Sequence, residues 1–207
     1  NPKSWFAMPE VNHVLGNNEK LNKNFWVGLS KCSDDEMVVS DIMRLREYSF
    51  HQTNDFSNQT RSFIQIQNGC DHRCTFCIIP FGRGNSRSIS VDEIIKSIQN
   101  ALNNNVKEIV LTGVDLTSWG KDFKERKSLG FLLKTIFSSL PDLPRLRVSS
   151  IDPAEIDHEF MDILADEERF MPHLHLSIQH GDDLILKRMK RRHLYRDVIN
   201  FVDEAKR

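Results

Sequence analysis

Cys70, Cys74 and Cys77 stand in a C-x3-C-x2-C spacing within Gln67-Asn68-Gly69-Cys70-Asp71-His72-Arg73-Cys74-Thr75-Phe76-Cys77. Steps of two and three residues fold back within a turn, so three thiolates on this loop can converge on one metal centre. A closed structural zinc site takes four ligands. A [4Fe–4S] cluster also usually takes four thiolates, and this loop offers three. The missing fourth is informative, because it leaves one iron open to a substrate or cofactor. The competing chemistry is a zinc knuckle completed by His72 or by Cys32, the remaining cysteine of the chain. His72 would have to turn back on its own loop to serve it.

Such a loop needs a rigid mount, and the pattern around it supplies one. The strand-like run Ser62 to Gln67 ends at the loop, and α/β folds place their chemistry at the carboxyl ends of strands. From there strands and helices alternate, which predicts a parallel sheet with crossover helices. Ser90-Val91-Asp92-Glu93 reads as a capping box ahead of a helix with Ile94, Ile95, Ile98, Ala101 and Leu102 on one face. Glu108 to Leu111 reads as a second strand, followed by an amphipathic helix carrying Leu129, Leu132, Leu133, Ile136, Phe137 and Leu140. A third strand, Leu146 to Val148, precedes Asp152-Pro153-Ala154-Glu155, a helix start with Asp as cap and Pro in the first turn. Ile156, Phe160, Ile163 and Leu164 would be its buried stripe. Leu174 to Ile178 makes a fourth strand, and two helical segments, Leu184 to Met189 and Val198 to Ala205, follow. Four βα units make an open, partial (β/α) barrel.

The first sixty residues read differently. Trp5 to Met8 is helical in pattern, Val11 to Leu15 is strand-like, and Asn17 or Asn18 would cap a helix carrying Leu21, Phe25 and Trp26. The polar stretch beyond it reads as a linker holding an edge strand at Met37 to Val39. The division expected is therefore 1–29 as the end of an α/β domain, 30–55 as linker and 56–207 as the core. The chain opens on Asn1 and closes on Arg207 inside a helical pattern, which reads as a piece of a longer protein.

Composition narrows the class. The 207 residues carry a net charge of −1, so any polyanion would have to be met by a local basic patch. No run approaches the roughly 18 to 20 apolar residues of a membrane span, and no secretory signal is apparent. Few, clustered cysteines read as ligands in a reducing compartment, which points to the cytoplasm.

Taken together, Cys70 to Cys77, Ile78-Ile79-Pro80, Arg83-Gly84 and Arg87-Ser88 resemble the radical S-adenosylmethionine (SAM) methylthiotransferases. Val14 to Lys20 resembles the end of their N-terminal domain. The stretches Leu111 to Gly120, Leu146 to Pro153 and His173 to Gln179 are similar to the subgroup acting on N6-threonylcarbamoyladenosine in tRNA. The resemblance implies a [4Fe–4S] cluster on Cys70, Cys74 and Cys77, with SAM on its open iron giving a 5′-deoxyadenosyl radical that activates the adenine. It implies a second [4Fe–4S] cluster as sulfur donor on cysteines upstream of this sequence, and an electron donor of the flavodoxin or ferredoxin kind. Sister enzymes acting on isopentenyl-adenosine in tRNA or on a ribosomal protein are the alternative within the family. Outside it stands a zinc-stabilised RNA-binding module without catalysis.

Roles follow from the same resemblance. Phe76 would pack near the adenine of SAM, or simply within its loop. Gly113 and Asp115 would meet the amino acid end of SAM, and Ser149 and Gln179, ending the next two strands, would face the cofactor. Arg83 and Arg87, with the basic run Lys187, Arg188, Lys190, Arg191 and Arg192, would meet tRNA phosphate; a solvated face is the plain alternative. His173 and His175 alternate on a strand and share a face, as packing residues.

Overall fold

In the first sixty residues apolar side chains are scattered, and among the described residues the regular elements there are short. The computed structural model describes residues 1–29, 36–45 and 59–206. Helix α1 (Pro2–Phe6) leads to β1 (His13–Leu15), and after α2 (Lys23–Leu29) strand β2 (Glu36–Val38) pairs in parallel with β1. The strand expected near Met37 is therefore present. The helix expected after Asn17 is split, with a 3-10 turn at Glu19–Leu21 before α2. Asn22, rather than Asn17 or Asn18, makes the capping bond, accepting from the Asn24 N–H at 3.0 Å. Cys32 and most of the expected linker lie outside the described residues.

From residue 61 the chain alternates as a half-covered strand must. Arg61 and Phe63 point outward, while Ser62, Ile64 and Ile66 are buried. This strand, β3 (Arg61–Gln65), runs into β4 (Gln67–Asn68), which carries the cysteine loop. The loop returns through α3 (Ile79–Arg83) to β5 (Arg87–Ser88), antiparallel to β4. Helix α4 (Val91–Asn103) is capped by Ser90 as expected, its Oγ accepting from Glu93 N–H at 3.4 Å, but Glu93 Oε2 takes the Ser90 hydroxyl at 2.7 Å in place of the backbone bond of a full capping box. Strand β6 (Glu108–Thr112), helix α5 (Leu129–Ser139) and strand β7 (Leu146–Val148) follow at the expected places.

The strands pair in parallel in the order β3-β6-β7. Ser149 interrupts the third strand; its N–H still donates to the Leu111 carbonyl at 2.9 Å. Beyond it β8 (Ser150–Ile151) pairs in parallel with β9 (His175–Leu176). Between them lies α6 (His158–Asp166), and the chain ends on α7 (Asp183–Arg188) and α8 (Tyr195–Ala205). Four parallel βα units thus make a partial (β/α) barrel. Ile94, Ile98, Leu132, Leu133, Ile136 and Phe160 are fully buried in one continuous core between helices and sheet.

Two local expectations need correction. Asp152-Pro153-Ala154-Glu155 forms only a 3-10 turn, because Ile156 returns to extended backbone. The helix begins at His158 instead, where Asp157 accepts from the Phe160 N–H at 3.0 Å. His173 and His175 are exposed rather than packed, and His175 Nδ1 lies 3.1 Å from Ser150 Oγ.

Candidate functional site

The cysteine loop is held by its own non-cysteine residues. Gly69 has φ +77°, and a Cβ there would stand 2.0 Å from the Asn85 carbonyl oxygen, so only glycine fits the turn into the loop. The Cys70 N–H donates to the Gly84 carbonyl at 3.0 Å, and Asp71 Oδ1 accepts from the Ser86 N–H at 3.0 Å. Arg73 donates to the carbonyls of Cys70 and His72, each at 3.0 Å. Thr75 N–H reaches the Met189 carbonyl at 3.2 Å, tying the loop to the end of α7.

All three cysteines line one cleft at the carboxyl ends of the parallel strands. Cys74 is buried and the other two are half-buried; among the described residues no fourth cysteine joins them. Burial, reinforced by the charge of Asp115, pushes the Cys70 thiol up to about 12. At neutral pH and without a cation this thiol stays protonated, whereas a bound metal cation reverses that preference and holds it as thiolate. Two donors stand ready for the charged sulfurs. The His72 backbone N–H lies 3.4 Å from Cys70 Sγ, and Arg191 Nη1 lies 3.8 Å from Cys74 Sγ. Three convergent thiols with external hydrogen-bond donors fit a thiolate-held cluster with one iron unclaimed by protein.

A further wall comes from the strand ends. Asp115, Ser150, Asp152, Ser177 and Gln179 line the same cleft as the cysteines. Gln179, three residues beyond β9, adopts φ +70°; left-handed backbone at a non-glycine residue often marks a functional site. Gln67 sets the near side of this wall. It is fully buried, its Oε1 accepts from Val114 N–H at 3.0 Å and Asp115 N–H at 2.9 Å, and its Nε2 donates to the Gly69 carbonyl and Ser86 Oγ. One side chain therefore joins the start of the cysteine loop to the turn carrying Asp115. Gln67→Leu leaves the half-buried Val114 and Asp115 N–H groups without this acceptor, and it should lower stability by about 2 to 3 kcal/mol. Urea unfolding of the two proteins measures it; an unchanged midpoint would mean water replaces the amide without cost.

A network of paired charges reaches the cleft through His72, Asp152 and Arg191. His72, in the middle of the motif, is 7 % exposed, with Nε2 3.3 Å from Asp115 Oδ2 and 3.4 Å from Glu155 Oε1. Glu155 also pairs with Lys121 at 2.6 Å and Arg192 at 2.5 Å. Burial opposes ionisation of Glu155, but His72 close beside it and the hydrogen-bonded Lys121 overcome this and hold the carboxyl well below the usual carboxylate range. Its contribution to stability is therefore present above its ordinary value near 4.5 and is lost as pH falls below that. Arg191 is likewise turned inward, bonded to Asp152 Oδ2 at 2.5 Å and to the Ser177 carbonyl at 2.9 Å.

The residues singled out from sequence divide accordingly. Cys70, Cys74, Cys77, Phe76, Asp115 and Gln179 come together in the cleft. Gly113 stands just behind it, where a Cβ would meet Gln67 Oε1 at 3.0 Å; its close neighbour is a side chain of the protein. The cleft is lined by Ser150 and Ser177 rather than Ser149, because the break in the third strand shifts the facing residue. Of the basic residues, Lys187, Arg188 and Lys190 are exposed and Arg83 is half-buried. Arg87 is buried, donating to the carbonyls of Arg83 and Asn85, and Arg191 is buried on Asp152. Neither lies on the surface that a polyanion would meet. Arg192 is exposed but committed to Glu155. Gln67 and Asp152 were not legible as site residues, while His72 was expected only as a zinc ligand and Arg191 only as a phosphate contact.

Comparison with known proteins gives the following. The family described as Radical SAM superfamily matches residues 64–207. Over its full length the chain is 45 % identical to the threonylcarbamoyladenosine tRNA methylthiotransferase MtaB of Rickettsia prowazekii, 48 % of which it covers. It is 33 % identical to the MtaB of Bacillus subtilis, over 99 % of this chain and 46 % of that one. A tRNA-2-methylthio-N(6)-dimethylallyladenosine synthase of Lawsonia intracellularis is 36 % identical over 78 % of this chain and 37 % of its own. The chain thus spans about half the length of the curated relatives it matches. Among solved structures, the radical SAM methyltransferase TsrM from Kitasatospora setae superposes with a TM-score of 0.57 at 18 % identity, over 70 % of this chain and 28 % of that one. The cobalamin-dependent radical enzyme OxsB gives 0.56 at 14 % identity, over 69 % of this chain and 22 % of its own. At such identities the likeness shows the shared fold.

Proposed function

This chain belongs to the radical SAM superfamily, and on that premise we propose that it is the radical-generating core of a tRNA methylthiotransferase acting on N6-threonylcarbamoyladenosine. The observation that carries the reading is the convergence of Cys70, Cys74 and Cys77 on one cleft that Asp115 and Arg191 also line. When bound, a reduced [4Fe–4S] cluster held by Cys70, Cys74 and Cys77 would supply the electron that cleaves SAM, giving methionine and a 5′-deoxyadenosyl radical to act on the target base. The protein's own part is to bind and orient. Asp115, aimed by Gln67 and Ser118, accepts the methionyl ammonium of SAM. Arg191, braced by Asp152, is the buried guanidinium in the cleft and takes the methionyl carboxylate. Gln179 and Phe76 flank the space left for the nucleoside part. Sulfur donation rests on a second cluster held by cysteines upstream of this sequence, and reduction on a flavodoxin- or ferredoxin-like donor.

The choice of adenosine rests on the identity of 45 % along the whole chain to one relative of that specificity, with tRNA meeting the exposed Lys187, Arg188 and Lys190. A tRNA substrate places the protein in the cytoplasm, and among the described residues no helix is long and apolar enough to cross a membrane. Nucleoside mass spectrometry of tRNA from cells deleted for the gene encoding this chain tests the substrate. Loss of the methylthio group from threonylcarbamoyladenosine supports it. Loss from isopentenyl-adenosine would hand the assignment to the sister enzymes.

Asp115→Ala should weaken SAM binding by roughly 1.5 to 3 kcal/mol, the worth of a hydrogen bond to a charged group, or about 10- to 150-fold. Calorimetry on the reconstituted chain measures this, and an unchanged affinity would move the ammonium elsewhere.

A further inference from the structure

The cleft holds a second set of metal ligands that overlaps the three thiols at a single atom. Cys70 Sγ, His72 Nε2 and a carboxylate oxygen of Asp115 all lie within 4.8 Å of one another. His72 is 7 % exposed, and its Nε2 has no hydrogen bond of acceptable geometry despite two nearby carboxylates. A buried ring nitrogen left this way calls for a reason.

The distances supply one. Tetrahedral zinc has bonds of about 2.0 Å to nitrogen and oxygen and about 2.3 Å to sulfur, so its edges are roughly 3.3 Å for nitrogen–oxygen and 3.5 Å for sulfur–oxygen. The edges here are 3.3 Å from His72 Nε2 to Asp115 Oδ2 and 3.6 Å from Cys70 Sγ to the same oxygen. Two of the ligands are already oriented from outside, as metal ligands commonly are. Ser118 Oγ donates to Asp115 Oδ2 at 2.7 Å, and the His72 backbone N–H points to Cys70 Sγ. Glu155 is committed to Lys121 and Arg192, so the fourth corner falls to water from the cleft.

We propose that the chain, before it carries a cluster, binds one divalent transition-metal ion, with a donor set suited to zinc, on Cys70, His72 and Asp115. This ion and the [4Fe–4S] cluster exclude each other, because both require Cys70 Sγ. The ion ties the cysteine loop to the turn after β6 while Cys74 and Cys77 stay free. Two of its three donors lie outside the cluster set, so the zinc site stands independently of the cluster reading.

Cobalt(II) in place of zinc gives a visible spectrum and a count of sulfur ligands. Anaerobic titration of the iron-free, 207-residue chain should give one cobalt per chain, with sulfur-to-metal charge transfer of one thiolate and displacement by zinc. Cys70→Ala, His72→Ala and Asp115→Asn should each weaken binding at least tenfold. Cys77→Ala, which removes a cluster ligand only, should bind cobalt as the parent does. Circular dichroism checks that each variant is folded, and Asp115→Asn keeps the side-chain shape should His72→Ala misfold. Cobalt lost in Cys77→Ala but kept in His72→Ala would place the ion on the three thiols and overturn the proposal, as would no binding. A second arm follows iron and sulfide uptake by the zinc-loaded chain. Uptake only after a chelator removes zinc supports exclusion, and uptake alongside bound zinc overturns it. Should the cluster reading itself be wrong, neither form takes up iron while the cobalt result is untouched.

Discussion

Replacing any one of Cys70, Cys74 or Cys77 with Ala is expected to abolish both stable iron and sulfide binding and all reductive cleavage of SAM. The three sulfurs face one cleft and no fourth cysteine joins them among the described residues. Two thiolates cannot hold a cluster that already leaves one iron to an outside ligand. The expected effect is therefore all or none, rather than graded. Anaerobic reconstitution followed by iron and sulfide analysis of each variant measures it. A Cys74→Ala protein with its full iron content would show that this residue is a buried thiol and not a ligand.

Asp152→Ala should be the most damaging change outside the cysteines, costing about 3 to 5 kcal/mol of stability, as expected when one partner of a buried ion pair is removed. Arg191 and Asp152 side chains are 7 % and 6 % exposed, with 2.5 Å between Nη2 and Oδ2. Removing the carboxylate leaves a buried guanidinium held mainly by the Ser177 carbonyl. It also deletes the bond to the Ala154 N–H, 3.1 Å away, which caps the following turn. Adding Arg191→Met should recover a large part of the loss, because the uncompensated charge is then gone. Denaturant unfolding of the single and double variants separates the two contributions. Equal stability of the single and double variants would mean that the damage comes from the turn, not from the charge.

What the sequence showed and what it hid follow a physical divide. The cysteine loop, the N-cap at Ser90 and the amphipathic faces of α4 and α5 are local patterns, written within one turn or one helix. Each is found where expected. Asp152 carries the local signature of a helix cap and does cap a turn. Its second oxygen, however, serves Arg191, 39 residues on. Gln67 binds backbone 47 and 48 residues away, and His72 meets carboxylates on two later elements. No local pattern announces such partners. Arg191 within the basic run misled for a related reason. Composition gives the charge of Arg191 but not its direction, and the turn after α7 points that side chain into the cleft while Lys187, Arg188 and Lys190 stay in solvent.

The central claim is that three thiolates leave one iron of a cluster free for SAM. Electron paramagnetic resonance of the reconstituted, reduced chain, recorded before and after SAM is added, tests it most directly. The account predicts a [4Fe–4S] signal that changes shape with SAM in the parent and keeps its shape, at the same SAM concentration, in Asp115→Ala. A signal indifferent to SAM in the parent would mean that every iron already has its ligand, and would contradict it.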